Sequence, residues 1–307
     1  MTLIDTIGDT PLVPLERVVP RGYARILLKL ESANPTGSLK DRMAEAVIRA
    51  ALEDGRLDRS GSVVEYTGGS TGVSLAFVCA HQGISVTLVT SDAFSREKRD
   101  HMAALGARLE LVPSSTGGTT ADLTLSMIER AQELAAAPGC YWPDQLNNPD
   151  PLPAYQRMGE EVLRQTEGGV DAFVQSVGTG ASFRGLATAM KSALPAVRTV
   201  AVEPAESAVL SGGESGSHGI EGVGAGFVVP LWQPELADEV HPVSTENARM
   251  AARMLAREEG ICAGTSTGAN FVAALEVAKE LGPGHTVVTL ACDSGMKYLS
   301  TPLYRRK

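Results

Sequence analysis

The chain alternates short apolar, β-branched runs with longer stretches in which apolar residues return every three or four positions. The short runs predict strands at 24–30, 62–66, 85–90, 108–111, 172–177, 199–203 and 285–291, each bounded by turn or polar residues. The longer stretches predict helices over 41–52, 72–81, 96–105, 120–134, 155–166, 185–191, 245–259 and 270–281. Strand-helix alternation of this kind implies an α/β fold, a parallel sheet covered by helices on both faces. Breakers crowd the stretch PDQLNNPDPLP, from Pro143 to Pro153, which marks a crossing between two units. The run SGGESGSHG, Ser211 to Gly219, reads as a mobile loop, too short to link separate domains.

Composition narrows the function classes. The chain has 307 residues, 43% hydrophobic and 21% charged, with a formal charge of −9. That is enough to bury a sizeable core, and the acidic balance disfavours nucleic acid or an anionic membrane as partner. No apolar run approaches the roughly 20 residues of a membrane span, and none at the N-terminus resembles a signal peptide. Cys79, Cys140, Cys262 and Cys292 lie far apart, with no metal-binding or redox pair among them. A cytoplasmic protein without a metal is the expectation.

Three glycine-rich turns open helices: TGGSTG at 67–72, GTGAS at 178–182 and GTSTG at 264–268. Glycine lets such a turn approach a ligand closely, and the free amides of the following helix favour an anion. A nucleoside-triphosphate loop is excluded, because no G-x-x-x-x-G-K-[ST] occurs. The dinucleotide fingerprint is a closer rival, since Gly178 and Gly180 follow a strand and Glu203 stands 23 residues beyond Gly180. The third glycine it needs is Phe183, however, and Gly185 arrives two positions late.

The segment ESANPTGSLKDR places a turn at Asn34 to Gly37 and offers Ser38 as N-cap of the helix that carries Lys40. A helix start disfavours an ammonium, so Lys40 is poised to lose its proton, as amine chemistry on a carbonyl requires. Charge and spacing alone still favour a solvated polar turn for Lys40, Asp41 and Arg42.

The motifs taken together resolve that choice. NPTGSLKDR, TGGSTG, SREKRDHMAALGA, QLNNP, GTGAS, EGVGAGF and EGICAGTSTGA, in this order and flanked by IGDTPL and DSGMKYLST, resemble the cysteine synthase and cystathionine β-synthase family of fold-type II pyridoxal phosphate enzymes. The likeness covers essentially the whole chain. It implies a tryptophan synthase β-like fold: two open, twisted, mainly parallel sheets flanked by helices. It further implies a larger cofactor-binding domain (1–38 plus 147–307) and a smaller mobile domain (39–146).

By position, the resemblance makes Lys40 the lysine that carries pyridoxal 5′-phosphate and then removes the substrate's Cα proton. It assigns Gly178, Thr179, Gly180, Ala181 and Ser182 to the phosphate, Ser266 to the pyridine nitrogen, and Gly222 to backbone near cofactor and substrate. Thr67, Gly68, Gly69, Ser70, Thr71 and Gln145 correspond to the substrate-carboxylate site. Two positions depart from type. Gly68 replaces a serine, which removes a donor and opens space, and Ser70 replaces an asparagine, so it reaches the cofactor's ring hydroxyl only through water.

The implied reaction is β-replacement on a serine-derived amino acid, foremost cysteine synthesis from O-acetylserine or O-phosphoserine and a sulfur nucleophile. Cystathionine synthesis or another β-substituted alanine synthase, a serine or threonine dehydratase, and a catalytically weakened regulatory homologue are the alternatives. The dehydratase loop usually carries a histidine that TGGSTG lacks, and retained Lys40 and Ser266 speak against a silent homologue. A homodimer is implied, and serine acetyltransferase is a conceivable partner.

Overall fold

The computed structural model describes residues 2–115 and 117–305. Its strands form two sheets that divide the sequence between them. The first sheet contains β1 (Leu12–Pro14), β2 (Arg25–Lys29), β7 (Ala172–Ser176), β8 (Arg198–Pro204), β9 (Glu239–Val243) and β10 (Thr286–Leu290), in the order β1-β2-β10-β7-β8-β9. All neighbours pair in parallel except β1 with β2. The second sheet is wholly parallel, with β3 (Ser62–Tyr66), β4 (Ser85–Ser91), β5 (Arg108–Val112) and β6 (Cys140–Tyr141) ordered β5-β4-β3-β6.

All seven predicted strands form, and three others join them, β1 and β6 short and β9 of ordinary length. β1 and β6 are too brief to establish an alternation, while β9 contains Pro242 and lies at a sheet edge, where a missing donor is tolerated. All eight predicted helices also form: α1 (Lys40–Glu53), α2 (Ser70–Gln82), α3 (Arg96–Ala104), α4 (Ala121–Ala135), α5 (Leu152–Gln165), α6 (Ala181–Ala193), α7 (Thr245–Met254) and α8 (Thr265–Leu281). The stretch 211–219 is irregular apart from a single bridge pairing at His218.

Period-two alternation explains the two cores around the larger sheet. Ile26, Leu28, Val174, Val200, Val202 and Val287 pack to one face with Phe271 of α8. Leu27, Phe173, Ala201 and Val288 face the other way, into a core continuous with that of the smaller sheet. Both faces are therefore dry, as a helix-covered parallel sheet requires.

Helix α1 begins where the two sheets meet, and Asp41 and Arg42 fix its start. Arg42 is 5% exposed and bridges Glu31 at 2.8 Å and Glu161 at 2.6 Å, and Glu161 also takes Lys29 at 2.7 Å. These carboxylates come from the segment after β2 and from α5, so α1 is riveted to the larger sheet's layer. On its other side Asp41 accepts from the Thr36 amide and from the hydroxyls of Thr36 and Ser74, tying α1 to α2. The predicted cap is corrected in detail. Leu39 occupies the N-cap position, and the Ser38 hydroxyl instead accepts from the Lys40 amide at 3.2 Å.

Candidate active site

A cavity opens between the sheets at the carboxyl ends of β3, β7 and β10, the place where open α/β sheets bind ligands. Lys40, Gly68, Gly69, Ser70, Thr71, Gln145, Gly178, Thr179, Ser182, Gly222 and Ser266 all line it, so residues spread over 227 positions converge on one space. Helices α2, α6 and α8 start at its wall, and the glycines preceding them, Gly69, Gly180 and Gly264, supply no side-chain cap. Their first-turn amides therefore depend on loop groups or a ligand, and their dipoles favour negative charge.

The second turn is built of backbone. A Cβ on Gly178 would lie 2.5 Å from the Gly222 carbonyl, and one on Gly180 would lie 2.9 Å from backbone atoms of Leu231 and Trp232. Gly180 also has φ +88°, open to glycine alone at low cost. Nearby, the Ser182 hydroxyl accepts from Gln175 Nε2 at 2.6 Å and keeps its own proton to donate. Gln175 Oε1 and Ser176 Oγ are buried without a protein partner, although both residues line the cavity. Unmatched polar atoms, a glycine-tight turn and an open helix start together make a cradle suited to a phosphate. Gly180 and Ala181, also expected at this turn, are not among the residues that line the cavity.

The first turn is held by side chains. Thr67 is fully buried and outside the cavity lining, its hydroxyl accepting from the amides of Gly69 at 2.9 Å and Gly72 at 2.8 Å, so it shapes the turn from behind. Thr71 donates to Gln145 Oε1 at 2.9 Å, and Gln145 Nε2 is anchored on the Tyr66 carbonyl at 2.7 Å. One expectation is corrected here. Gly68 opens no space towards Phe94, because that ring fills it and a Cβ would stand 3.2 Å from it. Ser70 also has a protein partner, its hydroxyl donating to Asp293 Oδ2 at 2.9 Å.

Lys40 lies between these turns. Burial, the largest influence, holds its amine below the ordinary lysine range, nearby Lys98 adds to that, and Cys292 and Asp293 oppose it. An amine so placed is readily neutral and nucleophilic. Ser266 sits 5% exposed at the start of α8 against Cys292, whose thiol burial pushes up to about 11. The cavity wall thus offers a neutral hydroxyl there.

The sequence reading missed Lys98, Glu221, Asp293 and Tyr298, charged or hydroxyl-bearing residues of the wall, along with Gln175 and Ser176. A signal existed for the last two: polar residues in AFVQS, a strand buried on both faces, are expensive unless they serve a partner. The other four lie within motifs of the resemblance, SREKRDHMAALGA, EGVGAGF and DSGMKYLST, but no spacing or charge pattern sets them apart from surface polar residues.

This architecture has close relatives. Residues 3–293 match the family described as "Pyridoxal-phosphate dependent enzyme". The chain belongs to that family. It is 42% identical over 300 residues to cysteine synthase of Staphylococcus aureus, covering 97% of this chain and 95% of that one. Among solved structures, cysteine synthase of Entamoeba histolytica superposes with a TM-score of 0.92 at 36% identity, over 100% of this chain and 91% of that one. A hydrogen sulfide-producing enzyme of Fusobacterium nucleatum also gives 0.92 at 36% identity, over 97% and 99%. The cofactor implied by the family fits the cavity, because the orphaned polar atoms beside the second turn, the uncapped helix starts and the lysine with a depressed pKa are what pyridoxal phosphate needs.

Proposed function

We propose that this enzyme is a cysteine synthase, exchanging the β-substituent of O-acetylserine or O-phosphoserine for sulfide or another sulfur nucleophile. The carrying observation is the position of Lys40: a lysine with its pKa lowered by burial, set between two glycine turns that each present an open helix start. Full-length likeness to cysteine synthases from two organisms supports the same reaction.

Bound pyridoxal phosphate supplies the electron sink that acidifies the substrate's Cα–H bond and lets the β-substituent leave. The groups that would hold its phosphate are the amides of the 178–182 turn with the hydroxyls of Thr179 and Ser182, and Ser266 would offer a neutral hydroxyl to its ring nitrogen. Lys40 Nζ would hold the cofactor and, kept neutral because burial disfavours its charge, would serve as the base at the substrate's Cα. The turn Gly68 to Thr71, with Gln145, orients the α-carboxylate, while Gly222 backs the amine. Ser266, a neutral partner, would leave the ring nitrogen without a proton, which favours loss of the β-substituent over transamination. Lys40 would return the proton to Cα once the sulfur nucleophile has replaced that substituent.

Residues 39–146, which contain the smaller sheet and α1 to α4, are read as the mobile domain, with 1–38 and 147–307 as the fixed one. A cytoplasmic homodimer completes the proposal, on the family likeness. The direct test is the purified holoenzyme given O-acetylserine, O-phosphoserine or serine with sulfide. Cysteine formation from an ester substrate is expected. Pyruvate and ammonia released at a comparable rate without sulfide would replace the proposal with a dehydratase.

A further inference from the structure

Four residues close a ring around the substrate-side turn. Lys98, in the first turn of α3 and only 1% exposed, lays its alkyl chain on Gly69, where a Cβ would lie 2.2 Å from Lys98 Cδ. Gly69 meets that demand and also adopts φ +128°. The Lys98 ammonium crosses the cavity wall to Glu221 at 2.8 Å and to the Tyr298 hydroxyl at 3.0 Å, with the Tyr298 ring centroid 4.2 Å away. Tyr298 donates to Asp293 Oδ2 at 2.7 Å, and the same oxygen accepts from Ser70, the neighbour of Gly69. The path from Lys98 through Tyr298, Asp293 and Ser70 therefore returns to the turn on which Lys98 rests.

The ring spans the cleft. Gly69, Ser70 and Lys98 belong to the layer of the smaller sheet, whereas Asp293, Tyr298 and Glu221 follow strands of the larger one. The ammonium is matched by a carboxylate and a ring face, and Asp293 Oδ2 by two hydroxyl donors, while Asp293 Oδ1 is buried without a partner. Buried hydrogen bonds that link two layers in this way favour one geometry for the groups they join.

We propose that Lys98, Tyr298 and Asp293 are positioning residues that lock the turn in its ligand-binding shape, resting on the reading of that turn as the α-carboxylate site. The ring fixes the amides at the start of α2 before a ligand arrives, so binding does not have to order them. Its loss weakens capture of the amino acid more than it slows the chemistry at Lys40.

Tyr298→Phe holoenzyme tests this, since the variant keeps the ring over the ammonium and deletes only the hydroxyl. L-alanine, which has the α-amine and α-carboxylate without a leaving group, is the binding probe, read from the shift of the cofactor's visible band. The expected result is about tenfold weaker L-alanine binding and a similar rise in KM for O-acetylserine, with a smaller fall in kcat. Lys98→Met moves the same way, and the double variant loses less than the two single effects multiplied, because both cut one ring. Unchanged L-alanine binding in both single variants, multiplicative losses, or a lowered thermal midpoint with KM intact would overturn the proposal. Failure of the cysteine synthase reading shows separately, as wild-type enzyme that binds L-alanine yet makes no cysteine.

Discussion

The two glycine turns that face each other across the cavity look alike in sequence and are secured by different means. GTGAS is confined by main chain: Gly178 against the Gly222 carbonyl, Gly180 against Leu231 and Trp232. TGGST is confined by side chains that reach from both layers: Phe94 on Gly68, Lys98 on Gly69, Asp293 on Ser70. Backbone walls do not yield to a substitution, whereas a side-chain wall holds its shape only while each side chain and its hydrogen bonds are in place. A turn of the first sort tolerates no added methyl, and one of the second sort can be tuned one side chain at a time.

That contrast can be broken in order of expected effect. Lys40→Ala removes the group between the turns and leaves both intact. Turnover falls about 10⁴-fold, while the phosphate cradle still retains pyridoxal phosphate in a form that borohydride no longer fixes to the protein. Gly178→Ala attacks the rigid turn, where the new methyl meets a carbonyl at 2.5 Å that cannot swing aside. Cofactor affinity, titrated by the visible band, drops about 100-fold, or roughly 2.7 kcal/mol.

A third perturbation lies behind the adjustable wall. Lys297 is 5% exposed, and its ammonium has no hydrogen-bond partner among the described residues; burial pulls its pKa down to about 8. The folded chain thus holds this proton more weakly than the unfolded chain does. The penalty is full below about pH 8 and fades as pH rises towards the ordinary lysine value. Lys297→Met is expected to be more stable than wild type by about 3 kcal/mol near pH 7. The gap closes above pH 10, as thermal midpoints across that range would show.

The smallest effect falls on the adjustable turn itself. Gly68→Ala brings a methyl to 3.2 Å from the Phe94 ring, a side chain able to shift by the few tenths of an ångström required. KM for the amino-acid substrate changes by less than about fivefold, within 1 kcal/mol, and cofactor affinity is unaltered. A Gly68→Ala variant as damaging to cofactor retention as Gly178→Ala would erase the distinction between the turns.

Local pattern determined much of this protein. Alternation and helical periodicity marked seven strands and all eight helices, because a sheet buried on both faces leaves few ways to write an apolar run. The three glycine turns were legible in their own residues, whereas Lys40, which charge and spacing alone left in a solvated polar turn, and Ser266 were legible only through the whole ordered set of motifs. β9 was hidden by Pro242, an edge residue that only sheet order can excuse. Asp293, Tyr298, Lys98 and Glu221 stayed silent because their roles arise only when 123 to 223 residues of chain fold back to set Lys98 against Glu221 and Tyr298, and Asp293 against Ser70. Gly68 and Ser70 show the limit most clearly. Their identity was plain from the start, yet whether each left a gap or met a partner depended on Phe94 and Asp293, distant side chains that only the folded chain sets against them.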